Sequence, residues 1–197
     1  MLHFLLKLKE LSNTLKKVFL TSFLLLVLDQ TTKIWVKTNM QLNSEFKIFD
    51  WFRIHYIENN GMAYGIELGG DYGKLFLTLF RIIVVGWGVF YVHKIIKEKR
   101  FPTGLLICFG LIIGGALGNI IDSTFYGVIF QESSIFHGKV VDMLYFPLTG
   151  ESYFLPEWIP YFGGDHFIFF RPIFNIADSA IFVGIISILL FYRNKFE

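Results

Sequence analysis

The chain has 197 residues, of which 54% are hydrophobic, 19% aromatic and only 17% charged, with a formal net charge of +2. Soluble domains carry about 25% charged residues and disordered chains combine low hydrophobicity with high charge, so both classes are excluded. The single cysteine, Cys108, rules out an intramolecular disulfide framework and a multi-cysteine zinc site, and so small a net charge gives no sign of nucleic-acid binding.

A membrane-spanning helix needs roughly 20 mostly apolar residues. Four stretches qualify, at about 18–36, 75–92, 104–121 and 174–192. The first carries Asp29 and Lys33 near its far end, the second Arg81, the third Asn119, and the fourth Asn175 and Asp178. Lysines and arginines gather before span one (Lys7, Lys9, Lys16, Lys17), between spans two and three (Lys94, Lys97, Lys99, Arg100) and after span four (Arg193, Lys195). Four spans put all three segments on one side, which the positive-inside rule makes cytoplasmic. Both termini are then expected inside. The basic start followed by an apolar run has the look of a signal peptide. No small-x-small cleavage site follows Leu28, so span one is expected to be retained.

Two segments are expected outside. In residues 37–74, the alternating aromatic stretch from Phe46 to Ile57 reads as a strand, with Gly61, Gly65, Gly69 and Gly70 marking turns after it. Residues 123–173 hold Pro147, Pro156, Pro160 and Pro172 among Tyr145, Phe146, Trp158 and Phe162, a composition suited to the headgroup level of a bilayer. The expected fold is one domain of all-α membrane class: four transmembrane helices, a small extracytoplasmic β element and an external aromatic-rich loop.

Ionisable groups inside hydrocarbon are costly and mark candidate sites. With four spans and the N-terminus inside, Asp29, Asn119, Asp122, Asn175 and Asp178 all fall at the outer end of their spans, and Asn59 and Asp142 in the segments beyond. Three chemistries can use such a cluster. Carboxylates alone would hold a hard, weakly bound cation, and His3, His55, His93, His137 and His166 are too scattered to add a ligand pattern. A proton- or cation-coupled transporter, or a non-catalytic assembly subunit, would use the same carboxylates without cleaving anything. Two close aspartates can instead share one proton, one activating water while the other protonates the developing oxyanion.

Five short motifs bear on that choice. Asp29-Gln30-Thr31-Thr32-Lys33 is similar to D-Q-x-[ST]-K, Asn59-Asn60-Gly61-Met62-Ala63-Tyr64 to N-x-G-x-A-F, and Gly114 to Asp122 to G-G-A-x-G-N-x-x-D. Gly138-Lys139-Val140-Val141-Asp142 is similar to G-x-V-V-D, and Phe174-Asn175-Ile176-Ala177-Asp178 to F-N-x-A-D. In this order on four spans, they resemble the lipoprotein signal peptidases (signal peptidase II). The resemblance implies an intramembrane aspartic endopeptidase of the bacterial inner membrane, a single multi-pass chain without metal or other cofactor. It implies a diacylglyceryl-modified prolipoprotein as substrate, cut before its lipidated cysteine near the outer leaflet. It also implies Asp142 and Asp178 as the catalytic pair, with Asn59, Gly61, Asn119, Asp122 and Asn175 supporting the pair and holding substrate.

Asp29 has two readings, a partner of Lys33 four residues on or a group lining the site. The chain departs from the family where Ser123 stands in place of an arginine after the third-span aspartate, and in the length of residues 126–139 and 143–172. Arg81, about 9 Å into span two at 1.5 Å per residue, is the expected substitute, with Asp122 as its partner; Arg171 is the alternative.

Overall fold

The computed structural model describes residues 2–60, 70–98, 101–148, 153–154, 156–158, 166–167 and 170–196. Gly61, Gly65, Gly69, Lys99, Arg100, Pro160 and Phe162 lie outside the described residues. Four helices are long and apolar enough to cross a membrane: α1 (Leu2–Asn39), α2 (Gly70–Glu98), α3 (Thr103–Ile129) and α4 (Ile176–Lys195). Their outward faces carry large exposed apolar side chains, among them Phe19, Leu24, Phe76, Ile83, Phe90, Phe182 and Leu190. Helices that are apolar on the outside as well as against each other are those of a membrane protein.

Helix α3 is the central one, packed against both α1 and α4. Small residues permit this approach. A Cβ on Gly114 would stand 2.8 Å from the carbonyl oxygen of Ser22 on α1. The Ser22 hydroxyl in turn donates to the carbonyl of Gly110 at 2.9 Å. At the end of the bundle where the chain starts and finishes, Val18, Ile96, Leu105, Leu106 and Phe109 form a buried apolar cluster joined by Ile188 and Tyr192. Lys17 donates to the Thr103 hydroxyl there at 2.9 Å.

The opposite end carries a four-stranded antiparallel sheet in the order β1-β2-β3-β6. Its strands are β1 (Glu45–Phe49), β2 (Phe52–Asn59), β3 (Val140–Tyr145) and β6 (Ile173–Phe174); β4 (Tyr153–Phe154) and β5 (His166–Phe167) pair separately. The single strand expected from Phe46 to Ile57 is therefore a hairpin. Asp50 and Trp51 turn the chain so that Phe49 faces Phe52, and aspartate is a turn former. The alternating pattern survives because both arms present aromatics.

The two faces of the β2–β3 pair have different duties. Ile57 is opposite Asp142 and Glu58 opposite Val141. Side chains alternate along a strand, so Asn59 shares a face with Asp142, whereas Tyr56 and Glu58 share the other with Val141 and Met143. On that second face Tyr56, Val141 and Met143 are buried with Val36 of α1 and Tyr126 of α3.

Helix α3 does not stop at Ile121, where the third apolar run ends. It passes through a π turn at Asp122–Tyr126 and closes with Gly127–Ile129. The segment that follows folds back onto this turn. The N–H groups of Phe136 and Gly138 donate to the carbonyls of Thr124 and Ser123, each at 3.0 Å. π turns leave backbone groups free for such outside partners. A Cβ on Gly138 would overlap the Asp122 carbonyl oxygen and stand 2.9 Å from the Gly127 nitrogen. Gly138 is thus the joint at which the chain enters β3. Gly138→Ala is expected to push β3 off α3 and cost about 1–3 kcal/mol, as overpacking does, seen as a lower unfolding temperature in detergent.

Candidate active site

Lys33, inside α1, is fully buried. A lone buried ammonium is costly, so its environment must supply charge and acceptors. Asp29, one turn back on α1, comes within 2.9 Å, and Asp122 of α3 within 2.7 Å. The third partner is Asn119 Oδ1 at 2.9 Å. An ammonium has three hydrogens, and all three are used. Gln30 adds a bond from Nε2 to Asp122 Oδ1 at 2.8 Å, and its own Oε1 accepts from the Tyr126 hydroxyl at 3.2 Å.

The two carboxylates around Lys33 reach two further elements. Asp29 Oδ1 accepts from the backbone N–H of Ala177, in the first turn of α4, at 2.9 Å. Asp122 Oδ2 accepts from the N–H of Val141 in β3 at 3.4 Å. Of the two readings of Asp29, the structure favours the partner of Lys33, and adds a contact to α4. Asp122 is held by Lys33 and Gln30. The carboxylates whose charges act on Arg81 are Asp178 and Asp142.

Asp142 and Asp178 face each other's surroundings across a pair of asparagines. Asp142 is 2% exposed. It accepts from Asn175 Nδ2 at 2.7 Å and from Asn59 Nδ2 at 3.2 Å. Asn175 caps α4: its Oδ1 accepts from the Asp178 N–H at 2.9 Å, and its own N–H donates to Asp178 Oδ2 at 3.4 Å. This capping box is why Phe174-Asn175-Ile176-Ala177-Asp178 starts a helix, and it aims the Asp178 carboxylate back at the cap. Asn119 donates to Asp178 Oδ1 at 2.7 Å and accepts from Asn175 at 3.1 Å. Because Lys33 can only donate, Asn119 must turn its oxygen to Lys33 and its amide to Asp178. The buried cation thereby orients the group that binds Asp178.

Burial pushes the Asp142 carboxyl up to about 7, and the charge of Asp178 adds to the rise, against the bonds from Asn59 and Asn175 and the charge of Lys33. A carboxyl with that affinity holds a proton near neutrality, as one member of an interacting pair must. The two carboxylates thus differ in environment, Asp142 buried in the sheet and Asp178 half-buried at a helix start. Such a pair can run acid and base chemistry together. Among the described residues, no group of three or more His, Cys, Asp or Glu side chains is placed to hold a metal ion.

Of the sequence candidates, Asn59, Asn119, Asp142, Asn175 and Asp178 form one connected network, Asp29 and Asp122 lie in the ion-paired layer beneath it, and Arg81 is close enough to act on the pair. Gly61 lies outside the described residues. Sequence reading missed Gln30 as a bridge to Asp122. It also missed Lys74, which ties α2 to the chain just past Asn59 through the Asn60 carbonyl at 2.8 Å. A lysine early in an apolar helix was the available signal for the second.

Residues 21–193 match the family model described as signal peptidase (SPase) II. The chain belongs to the signal peptidase II family. It is 48% identical over 184 residues to a lipoprotein signal peptidase of Porphyromonas gingivalis, covering 86% of this chain and 79% of the relative. One from Amoebophilus asiaticus is 40% identical over 190 residues, covering 92% and 79%. Two solved structures of a bacterial membrane enzyme align with TM-scores of 0.59 and 0.61 at 26% and 28% identity. The first covers 90% of this chain and 88% of the other, the second 88% and 90%. Signal peptidase II membership makes this chain a membrane protease with several spans.

In that protease, the Lys33 layer is the foundation of the site. Lys33→Met is expected to strand Asp29 and Asp122 without a counter-charge and cost about 3–5 kcal/mol, the usual loss on breaking a buried pair. Thermal unfolding in detergent reads the loss, and Lys33→Arg is expected to recover part of it.

Proposed function

We propose that this chain removes signal peptides from diacylglyceryl-modified prolipoproteins, cutting before the lipidated cysteine, with Asp142 and Asp178 as an aspartic catalytic pair. The observation that carries the reading is the hydrogen-bonded path Asp142–Asn175–Asn119–Asp178, which holds two carboxylates at the sheet end of the bundle. A non-catalytic ion site has no need of a separate orienting amide on each carboxylate.

The resting pair carries one proton, on Asp142. Asp178 takes a proton from water as the oxygen forms a bond to the scissile carbonyl carbon. The Asp142 proton passes to the carbonyl oxygen, giving a neutral tetrahedral diol. Collapse returns a hydroxyl proton to Asp142 and breaks the C–N bond, while Asp178 gives its proton to the leaving nitrogen. The products are a signal peptide with a new carboxylate and a mature chain with a free amine on its lipidated cysteine. Asn59 and Asn175 keep Asp142 in place; Arg81 stands near the pair and holds the substrate backbone by donating to a carbonyl.

The basic segments support cytoplasmic termini, which puts the pair at the outer leaflet of the bacterial cytoplasmic membrane. There the two acyl chains of the substrate stay in lipid while its peptide bond enters the site. The protein then works as a single chain whose partners are the prolipoprotein and membrane lipid.

The test follows a synthetic prolipoprotein by mass, with and without the diacylglyceryl group. Wild type is expected to cut only the lipidated form, before its cysteine, while Asp142→Asn and Asp178→Asn fold normally and stay inert. Normal cleavage by either variant removes the pair from the mechanism. The pH dependence has a definite sign. Asp142 acts in its protonated form, so the rate falls as pH rises through about 7, the loss of its proton.

A further inference from the structure

On the far face of the β2–β3 pair lies a second ionic cluster that the chemistry above does not use. Lys37, in the last turn of α1, pairs with Glu58 of β2, both side chains being almost fully buried. The same ammonium binds Glu132, in the loop after α3, at 2.7 and 2.9 Å. It also stands 4.8 Å from the centre of the Phe130 ring. Tyr56 donates to Glu58 Oε1 at 2.7 Å, and Lys139, on the approach to β3, comes within 3.3 Å of Glu58 Oε2. Four parts of the chain meet at the Lys37–Glu58 pair: α1, β2, the loop after α3 and the entry to β3.

The register gives this cluster its meaning. Glu58 lies opposite Val141, and its neighbours in sequence, Ile57 and Asn59, lie opposite Asp142 and Val140. Glu58 is thus fixed on one face of the strand while Asn59, the next residue, reaches Asp142 on the other. At 3.2 Å the Asn59–Asp142 bond is longer than the 2.7 Å bond from Asn175, so a small shift of β2 breaks it before that one. We propose that Lys37 and Glu58 are positioning residues for catalysis: their ion pair clamps β2 so that Asn59 donates to Asp142. The inference rests on the catalytic pair proposed above.

The electrostatics agree with a permanent clamp. Although burial works against its charge, the bonds from Lys37 and Tyr56 and the charges of Lys37 and Lys139 hold the Glu58 carboxyl below the usual range. Burial and the bond to Glu58 push the Tyr56 hydroxyl up, so it stays a donor. The charged groups acting on Asp142 itself are Asp178 of α4, Lys33 of α1 and Arg81 of α2, none of which belongs to the clamp. The clamp therefore reaches Asp142 through Asn59. The Asn59 bond stabilises the ionised form of Asp142, so losing it raises the affinity of Asp142 for its proton.

The test measures kcat, KM and the pH profile of the full chain in detergent with a synthetic lipidated prolipoprotein. The variants are Lys37→Met, Lys37→Arg, Asn59→Ala and Lys37→Met/Asn59→Ala. Lys37→Met is expected to lower kcat about ten- to a hundredfold, the scale of a small misplacement in a site, with KM little changed. Its alkaline limb moves to higher pH, as in Asn59→Ala; Lys37→Arg recovers activity; and the double variant is no worse than Asn59→Ala. Effects that multiply in the double variant, or a pH profile that Lys37→Met leaves in place, overturn the proposal. Should Lys37→Met fail to fold, Glu58→Gln, which keeps the size and the Tyr56 contact, gives the same readouts. Failure of the catalytic pair shows separately, as activity in Asp142→Asn.

Discussion

The buried ammonium of Lys33 is the interaction on which the rest of the site depends. Its three hydrogens go to α1, to α3 and to Asn119. The partners pass the constraint on: Asp29 to the start of α4, Asp122 to β3, Asn119 to Asp178. A buried ion pair is a poor source of net stability, because removing the charges from water costs several kcal/mol per ion. What it supplies here is position. One cation sets the relative places of the strand that carries Asp142 and the helix that carries Asp178.

Above this layer the asparagines do work that neither carboxylate can do alone. An amide is donor and acceptor at once, so Asn119 and Asn175 link an anion to a cation and one aspartate to the other without adding charge. The backbone supports the same end. The capping box aims Asp178, the π turn of α3 admits the loop that leads into β3, and Gly138 lets the two backbones touch. Satisfied polar networks of this kind rigidify a site, and groups already in place need no rearrangement when a ligand arrives. The sheet contributes through its two faces, one holding Asp142 and Asn59 and the other anchored on α1 and α3.

Much of this was legible in the chain. Four apolar runs located the helices because no soluble element explains them, and Asp29, Asn119, Asp122, Asn175 and Asp178 stood out as costly groups at one depth. The family motifs connected them to Asn59 and Asp142. Other features were hidden for physical reasons. The hairpin at Asp50–Trp51 was masked by aromatics on both arms, which kept one alternating pattern through the turn. The end of α3 was read at Ile121 because the π turn begins with polar Asp122, Ser123 and Thr124, whose backbone partners come from a loop more than ten residues on. The Lys37–Glu58 pair was hidden as well, since nothing in sequence tells that residues 37, 58, 132 and 139 converge.

The proposed chemistry turns on one proton, which Asp142, buried beside Asp178, holds at neutral pH. It is tested most directly by infrared titration of the protonated carboxyl band, taken as the difference between wild type and Asp142→Asn in lipid bilayers. The account predicts a band that belongs to Asp142 and disappears with a midpoint near pH 7. A midpoint in the ordinary carboxylate range, or a band that survives in Asp142→Asn, would contradict it.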